Sequence, residues 1–207
     1  LTDDFPLDPT RWIDTDGDGY DDAEDACPFV NGNSTQDRVG CLDTDADGFS
    51  NPTPPVGNNS GWNTSNGADA FPDEPTQAVD VDGDGYGDNP SGVEADACPT
   101  QAGSSNVDRF GCVDEDGDGT SDASDAFLGN PTQWIDTDGD GYGDNPNGTQ
   151  ADACVATVGT STVDVYGCTD GDGDGASDAN DLWPNDATQW FDSDGDGYGD
   201  ETQGTDG

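Results

Sequence analysis

The chain has 207 residues, 48 of them acidic and 3 basic, with no histidine and a formal net charge of -45. Self-repulsion on this scale forbids collapse unless counter-ions bind, and a hydrophobic content of 29% is too low for an ordinary core, so stability has to come from metal ligation and covalent links. Nucleic acid is excluded as a direct partner because nothing neutralises phosphates, and direct membrane insertion is excluded because no apolar run approaches the ~20 residues of a span.

One motif, Asp-x-Asp-x-Asp-Gly-x-x-Asp, is written six times along the chain and a seventh time with asparagine in its last position. Carboxylates at positions 1, 3 and 5 converge on one point only if the chain curls around a hard cation, and calcium is the ion such a loop suits. The glycine at position 6 permits the sharp turn, and it recurs as Gly19, Gly48, Gly85, Gly119, Gly141, Gly175 and Gly197. Position 7 is expected to offer its backbone carbonyl, position 9 a side-chain oxygen, and a later aspartate closes the loop.

In chain order, residues 1–13 match the tail of a repeat whose loop does not precede them, and Asp3 stands where a closing aspartate would. Leu1 at the start and the absence of methionine point to a processed chain or a piece of a longer one. The first loop comprises Asp14, Asp16, Asp18, Tyr20 and Asp22, closed by Asp25. The second comprises Asp43, Asp45, Asp47, Phe49 and Asn51, and its closing Asp69 arrives only after an insertion over 51–67. Asp80, Asp82, Asp84, Tyr86 and Asp88 form the third, closed by Asp96 after an excursion over 89–95. Asp114, Asp116, Asp118, Thr120 and Asp122 form the fourth, closed by Asp125. The fifth is Asp136, Asp138, Asp140, Tyr142 and Asp144, closed by Asp152 after a second excursion over 145–151. The sixth is Asp170, Asp172, Asp174, Ala176 and Asp178, closed by Asp181. The seventh, Asp192, Asp194, Asp196, Tyr198 and Asp200, lacks the Asp-Ala-Cys closure, with Asp206 as a substitute closer after a shortened excursion.

Two loop types alternate, those followed by Asp-Ala-Cys and those followed by Asp-Ala-Phe or Asp-Leu-Trp. The chain therefore divides into a partial tail at 1–13, repeat pairs at 14–79, 80–135 and 136–191, and an incomplete loop at 192–207. Prolines at 28, 72, 75, 99, 131 and 184 leave no room for the paired helices of an EF-hand. The predicted fold class is mostly irregular loop with little regular secondary structure, an elongated calcium-stabilised repeat array with disulfides, relieved by single helical turns at 22–25, 122–125 and 178–181. Trp12, Phe71, Phe127, Trp134, Trp183 and Trp190 recur beside loop ends, where each is expected to pack on a neighbouring repeat or a disulfide; stacking on carbohydrate is the alternative.

Six cysteines allow fifteen connectivities, and their equal spacing favours Cys27 with Cys41, Cys98 with Cys112, and Cys154 with Cys168. That density implies an oxidising, extracellular or cell-surface location for a secreted chain, and zinc ligation has no Cys-x-x-Cys or histidine to support it. Glycosylation sequons stand at Asn33, Asn58, Asn63 and Asn147, and the Ser/Thr-rich stretches at 34–35 and 160–162 are candidates for O-linked sugars.

The string Asp-x-Asp-x-Asp-Gly-x-x-Asp-x-x-Asp-x-Cys-Pro at 14–28 resembles the thrombospondin type 3 repeat. The segments Val107-Asp-Arg-Phe-Gly-Cys112 and Val163-Asp-Val-Tyr-Gly-Cys168 are similar to the linkers of its prokaryotic versions. The resemblance spans essentially the whole chain; the excursions, the insertion and Val155 in place of the proline after Cys154 depart from it. It implies calcium-wrapped repeats used as surface or matrix spacers and adhesive stalks.

The expected function is thus that of an extracellular calcium-binding structural protein: a rigid spacer, adhesive stalk or fibril subunit at a microbial cell surface or matrix. At least seven Ca2+ are expected from seven loops, and about fourteen if adjacent carboxylates bridge a second ion. The expected partners are calcium, glycans, and copies of the chain joined head to tail, with Asp3 or Asp4 completing or flanking the site of Asp192, Asp194, Asp196 and Asp200 in a neighbour. A dockerin-like calcium-dependent binding module would need helices flanking two loops, and a disordered calcium buffer would need neither paired cysteines nor placed tryptophans. An enzyme is not expected, because without histidine and with every cysteine paired no nucleophile system can be assembled.

Overall fold

A computed structural model of the chain describes residues 3–53 and 61–200. Asn58 and Asp206 lie outside the described residues. Within them, the only regular element is a three-residue 3-10 helix, Thr64–Asn66, and the rest is loop with isolated bridges between Thr53 and Trp62, Gly143 and Ala151, and Asp152 and Tyr166. The mostly irregular, loop-built chain expected from the sequence is what is found, and its cause is local: aspartate side chains compete with the backbone for its own N–H groups, and glycines and prolines break any periodic run. The expected helical turns are present as single turns, in which Asp25, Asp125 and Asp181 donate their N–H to the carbonyls of Asp21, Ser121 and Ser177, each four residues back.

The chain forms two units, Leu1–Val113 and Asp114–Gly207. The first holds three loops with disulfides Cys27–Cys41 and Cys98–Cys112, and the second holds four with Cys154–Cys168. Each disulfide joins the residue two past a closing aspartate to the residue two before the next loop. The bonded Cα atoms are 5.0 to 5.1 Å apart. The three bonds mark an oxidising environment, and no helix among the described residues is long and apolar enough to cross a membrane.

The interior is polar. The largest fully buried side chains include Gln133, Gln189, Asp69 and Cys41, together with Ser34, Ser50, Ser105, Ser121, Ser161 and Ser177. The aromatic residues beside the loop ends stand outside this interior: Phe71, Phe127, Trp134, Trp183 and Trp190 are half-buried, and Trp12 is exposed. Buried polar atoms must be hydrogen-bonded, and here the bonds set the chain path. Ser34, Ser105 and Ser161 each receive the N–H of the second cysteine of a pair on their Oγ, and Ser34 and Ser105 donate that hydroxyl to the carbonyls of Arg38 and Arg109. The O-glycan reading of 34–35 and 160–162 is therefore corrected at Ser34 and Ser161, whose hydroxyls are sealed inside the linker.

Glutamines fix the two excursions. Gln77 donates from Nε2 to the carbonyls of Asn89 and Val93 at 3.2 and 3.1 Å and accepts the Asn89 N–H at 2.9 Å. Gln133 does the same with Asn145 and Thr149. The first loop has no excursion, and Arg11 stands at the equivalent Pro-Thr-x position, donating instead to the Gly19 carbonyl. Replacing Gln133 by Ala removes three such bonds and is expected to cost about 3 kcal/mol, at a net ~1 kcal/mol each. Denaturant unfolding in saturating calcium measures it, and a loss no larger than that for an exposed Gln101→Ala control would contradict the pinning role.

Candidate metal centres

Position 1 is the hub of every loop. In the first, Asp14 accepts the Gly17 N–H on Oδ1 at 2.6 Å and the Gly19 N–H on Oδ2 at 2.9 Å. The same two bonds are made by Asp43, Asp80, Asp114, Asp136, Asp170 and Asp192. Reaching both amides requires left-handed backbone at positions 4 and 6, as at Gly83 and Gly85, with φ of 83° and 98°. Position 4 was not singled out by the motif. The one non-glycine there, Ala46, still adopts φ 66°, at a cost of about 1 kcal/mol.

Positions 3 and 5 each use Oδ1 to accept the N–H two residues on, as Asp82 does from Asp84 and Asp84 from Tyr86. Oδ2 is left without a partner at position 3 in six of the loops and at position 5 in Asp118 and Asp174, whereas Oδ2 of Asp18, Asp84 and Asp140 accepts the N–H of Gly32, Gly103 and Gly159. Position 9 ties the loop shut: the Asp22, Asp88, Asp144, Asp178 and Asp200 N–H groups reach the carbonyl preceding each loop, and their carboxylates accept the N–H of position 2. Asn51 does likewise with Leu42 and Thr44, and Asp122 takes the Glu115 N–H. The closing aspartates Asp25, Asp69, Asp96, Asp125, Asp152 and Asp181 all accept, on Oδ1, the N–H two residues on. Asp3 repeats that geometry with Phe5.

The arrangement brings ligand-type oxygens together. The carboxylates of Asp14, Asp16 and Asp18 offer atoms within 4.8 Å of one another, as do those of 43/45/47, 80/82/84, 114/116/118 and 136/138/140, with two further groups of this kind. Several of these oxygens are buried without any hydrogen bond: Oδ2 at position 3 in Asp16, Asp45, Asp82, Asp116, Asp138 and Asp172, Oδ2 at position 5 in Asp118 and Asp174, Oδ1 of Asp88, and Oδ2 of the closing Asp69, Asp96 and Asp152. An anionic oxygen turned inward with no donor is unfavourable, and clustered aspartates repel one another besides. A divalent cation removes both penalties at once. Among the described residues, no hydrogen bond falls on the position-7 carbonyls of Tyr20, Phe49, Tyr86, Thr120, Tyr142, Ala176 or Tyr198, so these too are free to ligate. The donor set is all oxygen, as a hard cation requires. The Asp triplets can therefore hold metal ions.

Electrostatics tell the same story. Burial raises the carboxyls of Asp16, Asp45, Asp47, Asp88, Asp96, Asp125, Asp152, Asp174 and Asp181, and neighbouring aspartates add to the rise. Asp69 is pushed furthest, to about 6, by burial and then by Asp47, Asp45 and Asp43, against the pull of the Phe71 N–H. A pKa raised in the metal-free fold means that the fold binds the extra proton. Its stability is then greatest below the ordinary value of 3.8 and falls as pH rises through about 6. Metal-free protein is thus expected to hold the Asp69 N–H to Ser50 carbonyl bond better at about pH 4.5 than at about pH 7. Calcium inverts this order, since it needs the carboxylate. Hydrogen exchange at Asp69 in chelator, with each rate divided by the intrinsic amide rate at its own pH, checks it; greater protection at the higher pH would contradict it.

Sequence reading missed the residues at position 8 and their partners. Ser50 gives its N–H and hydroxyl to Asp37, and Ser177 gives its own to Asp164. Although desolvation opposes it, these donors hold both carboxyls below their ordinary range, with Asn180 adding to the effect on Asp164. In the loops with excursions position 8 is glycine, Gly87 or Gly143, and a Cβ there would lie 2.2 or 2.1 Å from the Oε1 of Gln77 or Gln133. In the first loop it is Asp21, which accepts the N–H groups of Trp12 and Ile13. Aligning the repeats on position 8 would have shown the correlation. Asn33, Asn63 and Asn147 are exposed. No family model matches the chain, and comparison with curated proteins yields no match either.

Proposed function

We propose that this chain is an extracellular calcium-binding structural array of the thrombospondin type 3 kind, a spacer, adhesive stalk or fibril subunit at a microbial surface or matrix. The observation that carries the reading is the recurrence of one loop, seven times, with buried carboxylate oxygens lacking any donor at ligand positions of the first six. Calcium suits it better than magnesium, because the donors are many carboxylates and carbonyls on adaptable loops, and magnesium prefers to keep its waters. Extracellular calcium is also abundant enough to fill modest sites, in the compartment where disulfides persist. Catalysis finds no support in a chain without histidine or free cysteine. Glycans on Asn33, Asn63 and Asn147 would face solvent, and intact mass equal to the bare polypeptide would remove them from the account.

Electron microscopy of the purified protein in millimolar calcium tests the structural reading. Extended rods or fibrils are expected, and globular particles would overturn it. A second reading, that copies join head to tail, is favoured by the closing-aspartate geometry of Asp3. Asp3→Ala is then expected to abolish calcium-dependent assembly; undiminished fibrils would exclude Asp3 from the junction.

A further inference from the structure

Fourteen Asp-Gly and three Asn-Gly steps lie among the described residues, seventeen in all. Such steps age fastest in any polypeptide, because glycine leaves the backbone free to bend its nitrogen onto the preceding side-chain carbonyl carbon. The attack requires the nitrogen to surrender its proton and turn its lone pair to that carbon. An N–H held by another acceptor is a blocked nucleophile.

All seventeen are held. Within the loops the holder is the position-1 carboxylate, and for Gly171 it is Asp178 at 2.7 Å. Of the Asn-Gly steps, Gly67 and Gly148 donate to the backbone carbonyls of Thr64 and Asn145. Asn31-Gly32 differs, because the Gly32 N–H is held at 3.2 Å by Oδ2 of Asp18, position 5 of the first loop. The equivalent Gly103 and Gly159 are held likewise by Asp84 and Asp140, but Ala102 and Val158 precede them and cannot cyclise.

We propose that Asn31 is a calcium-gated deamidation site, an inference that rests on the calcium reading above. While the first loop holds its ion, Asp18 stays in place and the Gly32 nitrogen is restrained; once the ion leaves, mutual repulsion of the carboxylates opens the loop and frees it. The Gly32 nitrogen then bonds to the Asn31 side-chain carbonyl carbon and ammonia departs, leaving a succinimide. Water opens the ring at either carbonyl, giving aspartate or isoaspartate. The isoaspartyl form lengthens the backbone by one carbon beside Gly32, where even a Cβ would lie 2.1 Å from the carbonyl carbon of Cys41. The first junction cannot then re-form, and the chain keeps a covalent record of calcium loss.

The test is peptide mapping by mass spectrometry of protein aged in saturating calcium or in chelator, with ion loading followed by native mass spectrometry. Asn31 is expected to convert at least about tenfold faster in chelator, the factor by which loop opening limits the reaction. Asp18→Ala in calcium is expected to convert Asn31 at the chelated rate while Asn66, whose Gly67 N–H is held by the Thr64 carbonyl, keeps its wild-type rate. Asp138→Ala, which strips the fifth loop instead, should leave Asn31 slow. Equal Asn31 rates with and without calcium, in protein shown to load the ion, would overturn the gating alone. Protein that binds no calcium would overturn the calcium reading and the gating with it.

Discussion

Chelating calcium from the loaded protein is expected to release the loop amides to solvent, with exchange at Gly83, Gly85, Gly139 and Gly141 accelerating at least about a hundredfold. The holders of these amides, Asp80 and Asp136, belong to the clusters that would share an ion. With the cation gone, three carboxylates within 4.8 Å of one another face a chain of net charge -45, and nothing apolar remains to hold the loop. The disulfides keep each junction tethered, so protection should persist longest at Ser105, Gly111 and Cys112, which bond to one another beside the Cys98–Cys112 bridge. Site-resolved hydrogen exchange by mass spectrometry or NMR reads both. Unchanged protection in chelator would mean that the aspartate hydrogen bonds alone suffice.

Gly103→Ala is expected to be among the most damaging single changes in the first unit. The added Cβ would stand 2.0 Å from the Cys112 carbonyl carbon, 2.1 Å from its oxygen and 2.6 Å from the Gly111 oxygen. All three are backbone atoms that cannot swing aside. Relief means breaking the Ser104 and Ser105 bonds to that carbonyl and pulling the Gly103 N–H away from Asp84, so roughly 3 kcal/mol or more should be lost. Gly83→Ala is the control, for its Cβ meets nothing within 4 Å and only the φ of +83° is strained. That strain costs about 1–2 kcal/mol. Denaturant midpoints in saturating calcium compare the two, and equal losses would show that the Gly103 crossing is looser than described.

The loops were legible because each is local. Three carboxylates spaced by two, with glycines beside them, specify a curl whose bonds run over two to nine residues, and no distant partner is needed to recognise it. The disulfide segments were legible from equal spacing alone. What escaped is whatever joins a loop to the residues before it. Gln77 reads Asn89 and Val93, Asp37 reads Ser50, and Asp164 reads Ser177, over separations of 12 to 16 residues. None of these leaves a periodic hydrophobic trace. Nor were the fully buried positions legible from apolar residues: in a chain this polar they go mostly to glutamine, serine and aspartate, which can satisfy one another and the backbone, while the tryptophans beside the loop ends are at most half-buried. The excursions leave no such trace either, yet Gln133 and Thr132 hold 145–149 through six hydrogen bonds.

The central claim is that the seven loops are cation sites, and counting bound ions tests it most directly. Native mass spectrometry of the disulfide-intact protein, exchanged from millimolar calcium into volatile buffer, is expected to show a saturated form with at least seven Ca2+, one per loop. Asp82→Ala should lower that number, removing the ion of the third loop while the remaining loops keep theirs. A mass equal to the bare chain after calcium loading, or one unchanged by Asp82→Ala, would contradict the account.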